Sequence, residues 1–151
     1  MGKLAQAEAG GLTTAVIRRF IQRYQVNMAE AANPDPAAYK TFNAFFTRAL
    51  KDGVRPLAQA DWICPVDGAI SQFGRIEGEQ IFQAKGHQYS ATALVGGDAA
   101  LARQFDNGSF ATIYLSPRDY HRIHMPCAGR LRSIVQRLGE AAMASIVPAS
   151  A

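Results

Sequence analysis

The stretch Asp61-Trp62-Ile63-Cys64-Pro65-Val66-Asp67-Gly68-Ala69-Ile70 is where the texture of the chain changes. Upstream of it, apolar residues recur every three or four positions, the period of a helix face. From it onward the apolar runs are short: Trp62–Cys64, Ala69-Ile70, Gln80–Gln83 and Phe110–Leu115. Gly68, Gly74, Gly78, Gly86, Gly96-Gly97 and Asn107-Gly108 separate them. Runs punctuated in this way read as strands joined by tight turns. The predicted class is α+β, with N-terminal amphipathic helices followed by an antiparallel β-rich body. The predicted divisions are a basic helical segment over 1–58, a β-rich domain over 59–132 and a divergent tail over 133–151.

Two helices are expected upstream. Leu12, Val16, Ile17, Phe20, Ile21 and Tyr24 form one helical face, with Thr13 or Thr14 as a candidate cap. Asn33-Pro34-Asp35-Pro36 then breaks the pattern. Tyr39, Phe42, Phe45, Phe46 and Leu50 continue at helical spacing over Ala37–Leu50, with Asp35 as cap and Pro36 in the first turn. A later start, with Thr41 capping at Phe42, would leave Tyr39 outside. Downstream, Ser133–Val135 could be a strand, while the small-residue stretch from Glu140 has no evident pairing partner.

The 151 residues are 48% apolar and 19% charged, enough for one real core and too apolar for a disordered polyelectrolyte. Two cysteines exclude a disulfide-dense scaffold and a four-cysteine zinc site. No apolar run is long enough to span a bilayer, and no leader-like apolar region opens the chain, so a reducing compartment is expected. The net charge of +4 is uneven: up to residue 58 there are eight basic and four acidic residues, and beyond it eight of each. A basic segment seeks an anionic partner or is simply a solvated face. Arg18, Arg19 and Arg23 flank the apolar face of the first helix. That pattern suits a helix lying on anionic lipid, and equally a helix packed on its own domain.

Three clusters could carry chemistry. Ser116-Pro-Arg-Asp-Tyr-His-Arg-Ile-His-Met-Pro126 places His121 and His124 three residues apart in a dense polar run. Two histidines without a third candidate ligand make a poor metal site, and none is expected. The run is either a solvated loop or part of a site. Asp67, before Gly68, is either a turn residue or a carboxylate that orients a histidine. Ser71, Ser90, Ser109, Ser116, Ser133, Cys64 and Cys127 are nucleophiles by type, but none lies in a Gly-x-Ser-x-Gly context. Lys85-Gly86-His87 could contact a phosphate or carboxylate, or be an exposed hairpin tip.

Taken together, several blocks resemble the N-terminal part of the β-chain of bacterial, pyruvoyl-dependent phosphatidylserine decarboxylase proenzymes. The blocks are Thr41–Arg48, Gly53–Pro56, Pro65–Gly68 with Ile70-Ser71, Gln83–Tyr89, Asn107–Phe110 and Leu115–Cys127. The last is long and distinctive, and the resemblance covers about residues 12–132. It implies a carboxy-lyase that converts phosphatidylserine to phosphatidylethanolamine and CO2. The implied cofactor is a pyruvoyl group formed from the chain's own Ser in a Leu-Gly-Ser-Thr motif. In the family that group forms a Schiff base with the substrate amine and acts as electron sink. An Asp and a His activate the Ser, and by motif these are Asp67 and His124. His121 would serve substrate binding or proton transfer. The implied partners are phosphatidylserine, an anionic membrane surface and the family's α-chain, not nucleic acid. The implied location is peripheral, on the cytoplasmic side of the inner membrane.

No Leu-Gly-Ser-Thr occurs in the chain, and Gly108-Ser109 belongs to another block. The resemblance stops past Arg132, so a truncated or frameshifted fragment with an incomplete β-rich body is expected. Such a chain alone would be inactive; the alternative is a non-catalytic remnant that binds anionic lipid or a partner. The index sums of Asp67 with His124 and of Cys64 with Cys127 are equal. One antiparallel register would therefore pair Asp67 with His124 and Cys64 with Cys127.

Overall fold

The computed structural model describes residues 5–78, 80–82, 88–136 and 142–148. It divides into two units, Met1–Gly68 with Leu115–Pro126, and Ala69–Tyr114 with Cys127–Ala151. The units part after Gly68 rather than after residue 58, and Leu115–Pro126 belongs with the helical unit.

In the first unit, helix α1 spans Gly11–Tyr24. Thr13 and Thr14 do not cap it, because it begins before them. Gly10 is the capping residue, and its left-handed φ of 54° turns the chain in. Thr13 is instead buried within the first turn, its hydroxyl accepting from the Ala9 N–H at 3.1 Å. Ile17 is fully buried, Phe20 and Ile21 are half-buried, and Leu12 and Val16 are exposed. The apolar stripe is therefore split, with only its centre in the core.

The second helix is shorter than its periodicity predicts. Asp35 does cap, accepting from the Ala37 N–H at 2.9 Å, but over a single 3₁₀ turn, Pro36–Ala38. The chain then extends through Tyr39. Thr41 caps a new helix, α2, Phe42–Phe46, by accepting from Ala44 N–H. Both capping signals operate, and together they cut one predicted helix into two pieces. Thr47 ends α2, and Leu50 bridges to Ala31 in extended conformation. Phe45, Ile17 and Val26 form the core, with Phe20, Tyr39, Phe42 and Phe46 packed around them. Ring pairs tie α1 to α2: Phe20 meets Phe42 at 5.0 Å and Phe45 at 5.9 Å, both edge to face.

The second unit contains strands β1 (Ala69–Arg75), β2 (Gln80–Phe82), β3 (Gln88–Ser90), β4 (Ser109–Tyr114), β5 (Gly129–Gln136) and β6 (Ala142–Pro148). They pair antiparallel as β1–β4, β2–β3 and β5–β6, each a two-stranded sheet. The class is α+β, as predicted. Trp62–Cys64 is not a strand of any of these sheets. Two one-turn helices that the sequence pattern did not suggest lie between β3 and β4: α3 (Ala91–Leu94) and α4 (Ala99–Ala102). Ser90 caps α3 and Asp98 caps α4. Their buried faces supply Ala91, Val95 and Ala102 to a core closed by Ile76, Leu94, Leu101 and Phe110. Asn107, in left-handed conformation, and Gly108 turn the chain into β4. A Cβ on Gly108 would lie 2.9 Å from the Phe105 carbonyl oxygen, so only glycine fits there.

The stretch after Glu140, read as lacking a partner, pairs locally. Its partner is β5, from Gly129↔Pro148 to Gln136↔Ala142, with an irregularity between Leu131 and Ser133. Pro148 lies at the strand end, where a missing N–H is tolerated.

Candidate active site

The candidate site lies wholly within the first unit. Backbone hydrogen bonds hold the Leu115–Pro126 segment against Ile63–Pro65. Ile63 N–H donates to Pro126 O, and His124 N–H donates to Pro65 O, both at 2.8 Å. Arg122 Nε adds a bond to Thr47 O at 2.7 Å. The two segments run antiparallel, as expected, but the register differs by two residues. Ile63 faces Pro126 and Pro65 faces His124, so Cys64 falls opposite Met125, and the chain bends over Pro65–Gly68. The predicted pairings of Asp67 with His124 and Cys64 with Cys127 are not made in this register. Both cysteines are free thiols. The proline flanking each segment supplies a carbonyl but no N–H, so only one pattern of donors is available.

A cleft of about 650 Å³ is lined by Asp67 and His124 together with Tyr120, Arg122, Cys64 and Arg55. That volume lies in the usual range for a small-molecule site. The structure thus brings Asp67 and His124 to one cavity without a hydrogen bond between them. His124 Nε2 meets the Tyr120 hydroxyl at 3.0 Å, and the two rings stack at 5.5 Å. Tyr120 is buried and fixes the imidazole edge.

His121 is held differently. Its Nε2 is 2.9 Å from the Ser116 carbonyl oxygen, so Nε2 carries the proton and donates. Its ring stacks on Phe46 at 4.0 Å. In the neutral imidazole this leaves Nδ1 as the basic atom. The loop is closed by Asp119, whose Oδ2 accepts from Ser116 N–H at 2.6 Å.

Asp67 is bound by Arg55. Arg55 Nε donates to Asp67 Oδ2 at 2.7 Å, and its Nη2 donates to Glu30 Oε2 at 2.8 Å. These bonds to Glu30 and Asp67 raise the Arg55 guanidinium above its usual range, against a smaller opposing effect of burial. The bridge is about half exposed, so its contribution is a fraction of a kcal/mol to about 1 kcal/mol per pair. Its consequence is geometric: the carboxylate is fixed at the end of the loop before β1.

Of the serines proposed as nucleophiles, Ser90 is committed to capping α3. Ser71 and Ser109 are exposed on β1 and β4, and the Ser116 hydroxyl is buried without a hydrogen-bond partner. Ser133 lies in β5, and its side chain is outside the described residues, as is the Lys85-Gly86-His87 cluster. Cys64 Sγ donates to Val66 O at 3.1 Å. Among the described side chains, none of these groups is hydrogen-bonded to His121 or His124.

Sequence reasoning missed Arg55, Tyr120 and Arg122 as site residues. Arg55 was visible in the basic excess and in the Gly53–Pro56 block, but without a role. Tyr120 and Arg122 stood inside a singled-out run but without a role: the Arg122 contact with Thr47 depends on tertiary placement, and the Tyr120 contact with His124 on the irregular path of the loop.

Comparison with known proteins adds a family. A family model described as phosphatidylserine decarboxylase matches residues 42–149, and a second, described as PSD, matches residues 1–25. The chain is 81% identical over 140 residues to the phosphatidylserine decarboxylase proenzyme of Delftia acidovorans, covering 93% of this chain and 49% of that protein. It is 69% identical over 150 residues to the proenzyme of Dechloromonas aromatica, covering 99% of this chain and 52% of that one. The chain spans about half the length of the curated relatives it matches. Residues 133–149 are therefore family sequence, which corrects the reading of a divergent tail. A shifted reading frame would have scrambled them, so the frameshift explanation falls with it. With well over half of its residues matched by the family model, the chain belongs to the phosphatidylserine decarboxylase family.

Proposed function

We propose that this chain is the Asp- and His-bearing half of an enzyme that decarboxylates phosphatidylserine to phosphatidylethanolamine. The observation that carries this reading is the cleft in which Asp67, His124 and Tyr120 converge. The residues present fit a pyruvoyl cofactor in one respect: the cleft is large enough and lined by groups that exchange protons. When bound, that group supplies an electron-withdrawing carbonyl as CO2 leaves the substrate. The chain itself has no Leu-Gly-Ser-Thr from which to form it, so these 151 residues by themselves are inactive.

His124 takes a proton at an imidazole nitrogen, with Tyr120 orienting the ring through Nε2. In the resting arrangement Asp67 is held by Arg55 rather than by His124. It orients the histidine only once Arg55 or the imidazole shifts. His121 is not among the residues lining this cleft; its proposed part is proton transfer at Nδ1, the ring nitrogen left over by the Nε2 bond to the Ser116 carbonyl.

We further propose a peripheral location on the cytoplasmic side of the inner membrane, and what supports attachment to a membrane surface is α1. Leu12 and Val16 are exposed, and Arg19 and Arg23 lie on the same helix face. No helix among the described residues is long and apolar enough to cross a membrane.

The test joins residues 1–151 to the unmatched remainder of the Delftia acidovorans protein and measures CO2 release from phosphatidylserine in mixed vesicles. Release that is lost in His121→Ala supports the reading. A processed but inactive fusion, or undiminished activity in His121→Ala, contradicts it.

A further inference from the structure

Arg48 is the most unusual charged residue of the first unit. It is only 4% exposed, and its guanidinium lies over the Phe45 ring at 5.4 Å. Its Nε and Nη1 are buried without a hydrogen-bond partner. A buried guanidinium with open donors is costly unless an anion satisfies it. Burial pushes its pKa down, with Tyr39, Glu30 and Tyr120 opposing, but an arginine keeps its charge.

Arg48 lines a cleft of about 170 Å³ with Asn27, Glu30, Arg55, Arg118 and Tyr120. The acids there are already engaged. Glu30 and Asp67 are bound to Arg55, and Asp119 accepts from Ser116 N–H beside Arg118. Arg48 is thus left without a carboxylate of its own. Asn27 spends its side-chain oxygen on Ala29 N–H, so its amide nitrogen is the group left to donate at this cleft. The space is small for a whole metabolite and ample for an oxyanion with a few waters.

We propose that this cleft is a binding site for a small oxyanion, a phosphate or carboxylate group received by the Arg48 guanidinium fork. The inference does not rest on the decarboxylase reading, since it concerns binding by this chain alone. The oxyanion could come from a phospholipid headgroup or from a free ion, and the same experiment separates the two.

The experiment measures the denaturant midpoint of the 151-residue chain in chloride, and then with inorganic phosphate, acetate or glycerophosphoserine at equal ionic strength. A ligand that binds only the folded state raises the midpoint in proportion to the logarithm of its concentration. A rise with phosphate or acetate identifies a free ion. A rise only with glycerophosphoserine identifies a headgroup. In either case Arg48→Met shows no rise, while Arg18→Gln, on the exposed side of α1, behaves as wild type. In chloride Arg48→Met is at least as stable as wild type, because it removes a buried unpaired charge. If Arg48→Met does not fold, ³¹P line broadening of phosphate and glycerophosphoserine, and ¹H line broadening of acetate, by the wild-type chain stand in its place. No broadening and no midpoint shift with any of the three up to tens of millimolar overturns the proposal. An equal shift in Arg48→Met also overturns it.

Discussion

Truncating Phe45 to alanine should remove much of the stability of the first unit. The side chain is fully buried, with Ile17 and Val26 as core neighbours. Its ring also meets Phe20, Tyr39 and Phe42 at 5.9, 5.8 and 5.6 Å. Phe-to-Ala at such a site costs about 3–5 kcal/mol, the lost transfer energy plus the cavity left behind. The cost should fall near the upper end, because two elements and a buried arginine meet on this ring and none can collapse inward without losing the others. Unfolding stabilities of domains run at roughly 0.05–0.15 kcal/mol per residue, so the change is a large part of the total. With a urea slope of about 1–3 kcal/mol per molar, the midpoint should fall by about 2 M. The control is Phe73→Ala in β1, 79% exposed, which should cost no more than about 0.5 kcal/mol. Urea titration followed by far-ultraviolet circular dichroism reads both. A loss below about 1 kcal/mol in Phe45→Ala, or a greater loss in Phe73→Ala, would refute the packing described here.

Three further outcomes follow. Gly108→Ala should destabilise the second unit by about 1–3 kcal/mol, since its Cβ would press on the Phe105 carbonyl oxygen; thermal unfolding that is unchanged counts against that turn. Burial raises the Tyr39 phenol above 10.0, so the folded state holds this proton more tightly than the unfolded state. That contribution is complete below pH 10 and is lost as pH rises through the raised value. Tyr39→Phe, lacking the 2.6 Å bond to Asn33 O, should be about 1 kcal/mol less stable at neutral pH, and the gap should close in alkali. Arg55→Gln should cost about 1 kcal/mol or less at low salt and less still at high salt, read by denaturant midpoints at two ionic strengths.

The outline of the fold was legible where a local signal acts alone. Asp35 and Thr41 each cap a turn, the Leu12–Tyr24 face marks α1, and Asn107-Gly108 precedes β4. Competition between signals was legible only as two alternatives: the later start, with Thr41 capping at Phe42, holds for α2, and Asp35 also caps, over a separate 3₁₀ turn. α3 and α4 were missed because a single turn such as Ala91–Leu94 has no periodicity to detect, although Ser90 and Asp98 are ordinary capping residues. The pairing of β5 with β6 was missed because small residues carry little pattern.

The site divides in the same way. Asp67, His121 and His124 stood out by type and spacing, and the cleft gathers Asp67 with His124. Their partners did not stand out. Arg55 on Asp67 and the buried Arg48 depend on how distant segments meet, while Tyr120 beside His124 is a local contact four residues apart in an irregular loop, with no periodicity to reveal it. The two-residue difference in register is defined by Ile63 N–H bonding Pro126 O and His124 N–H bonding Pro65 O, contacts that index sums do not reveal.

The central proposal is that Asp67 and His124 act on the serine of a Leu-Gly-Ser-Thr motif, which these 151 residues do not contain. Its most direct test is the mass of the fusion with the remainder of the Delftia acidovorans relative after expression. The account predicts two chains, the C-terminal one beginning with a pyruvoyl group, and an uncut fusion for both His124→Ala and Asp67→Asn. Full cleavage in either variant would contradict it.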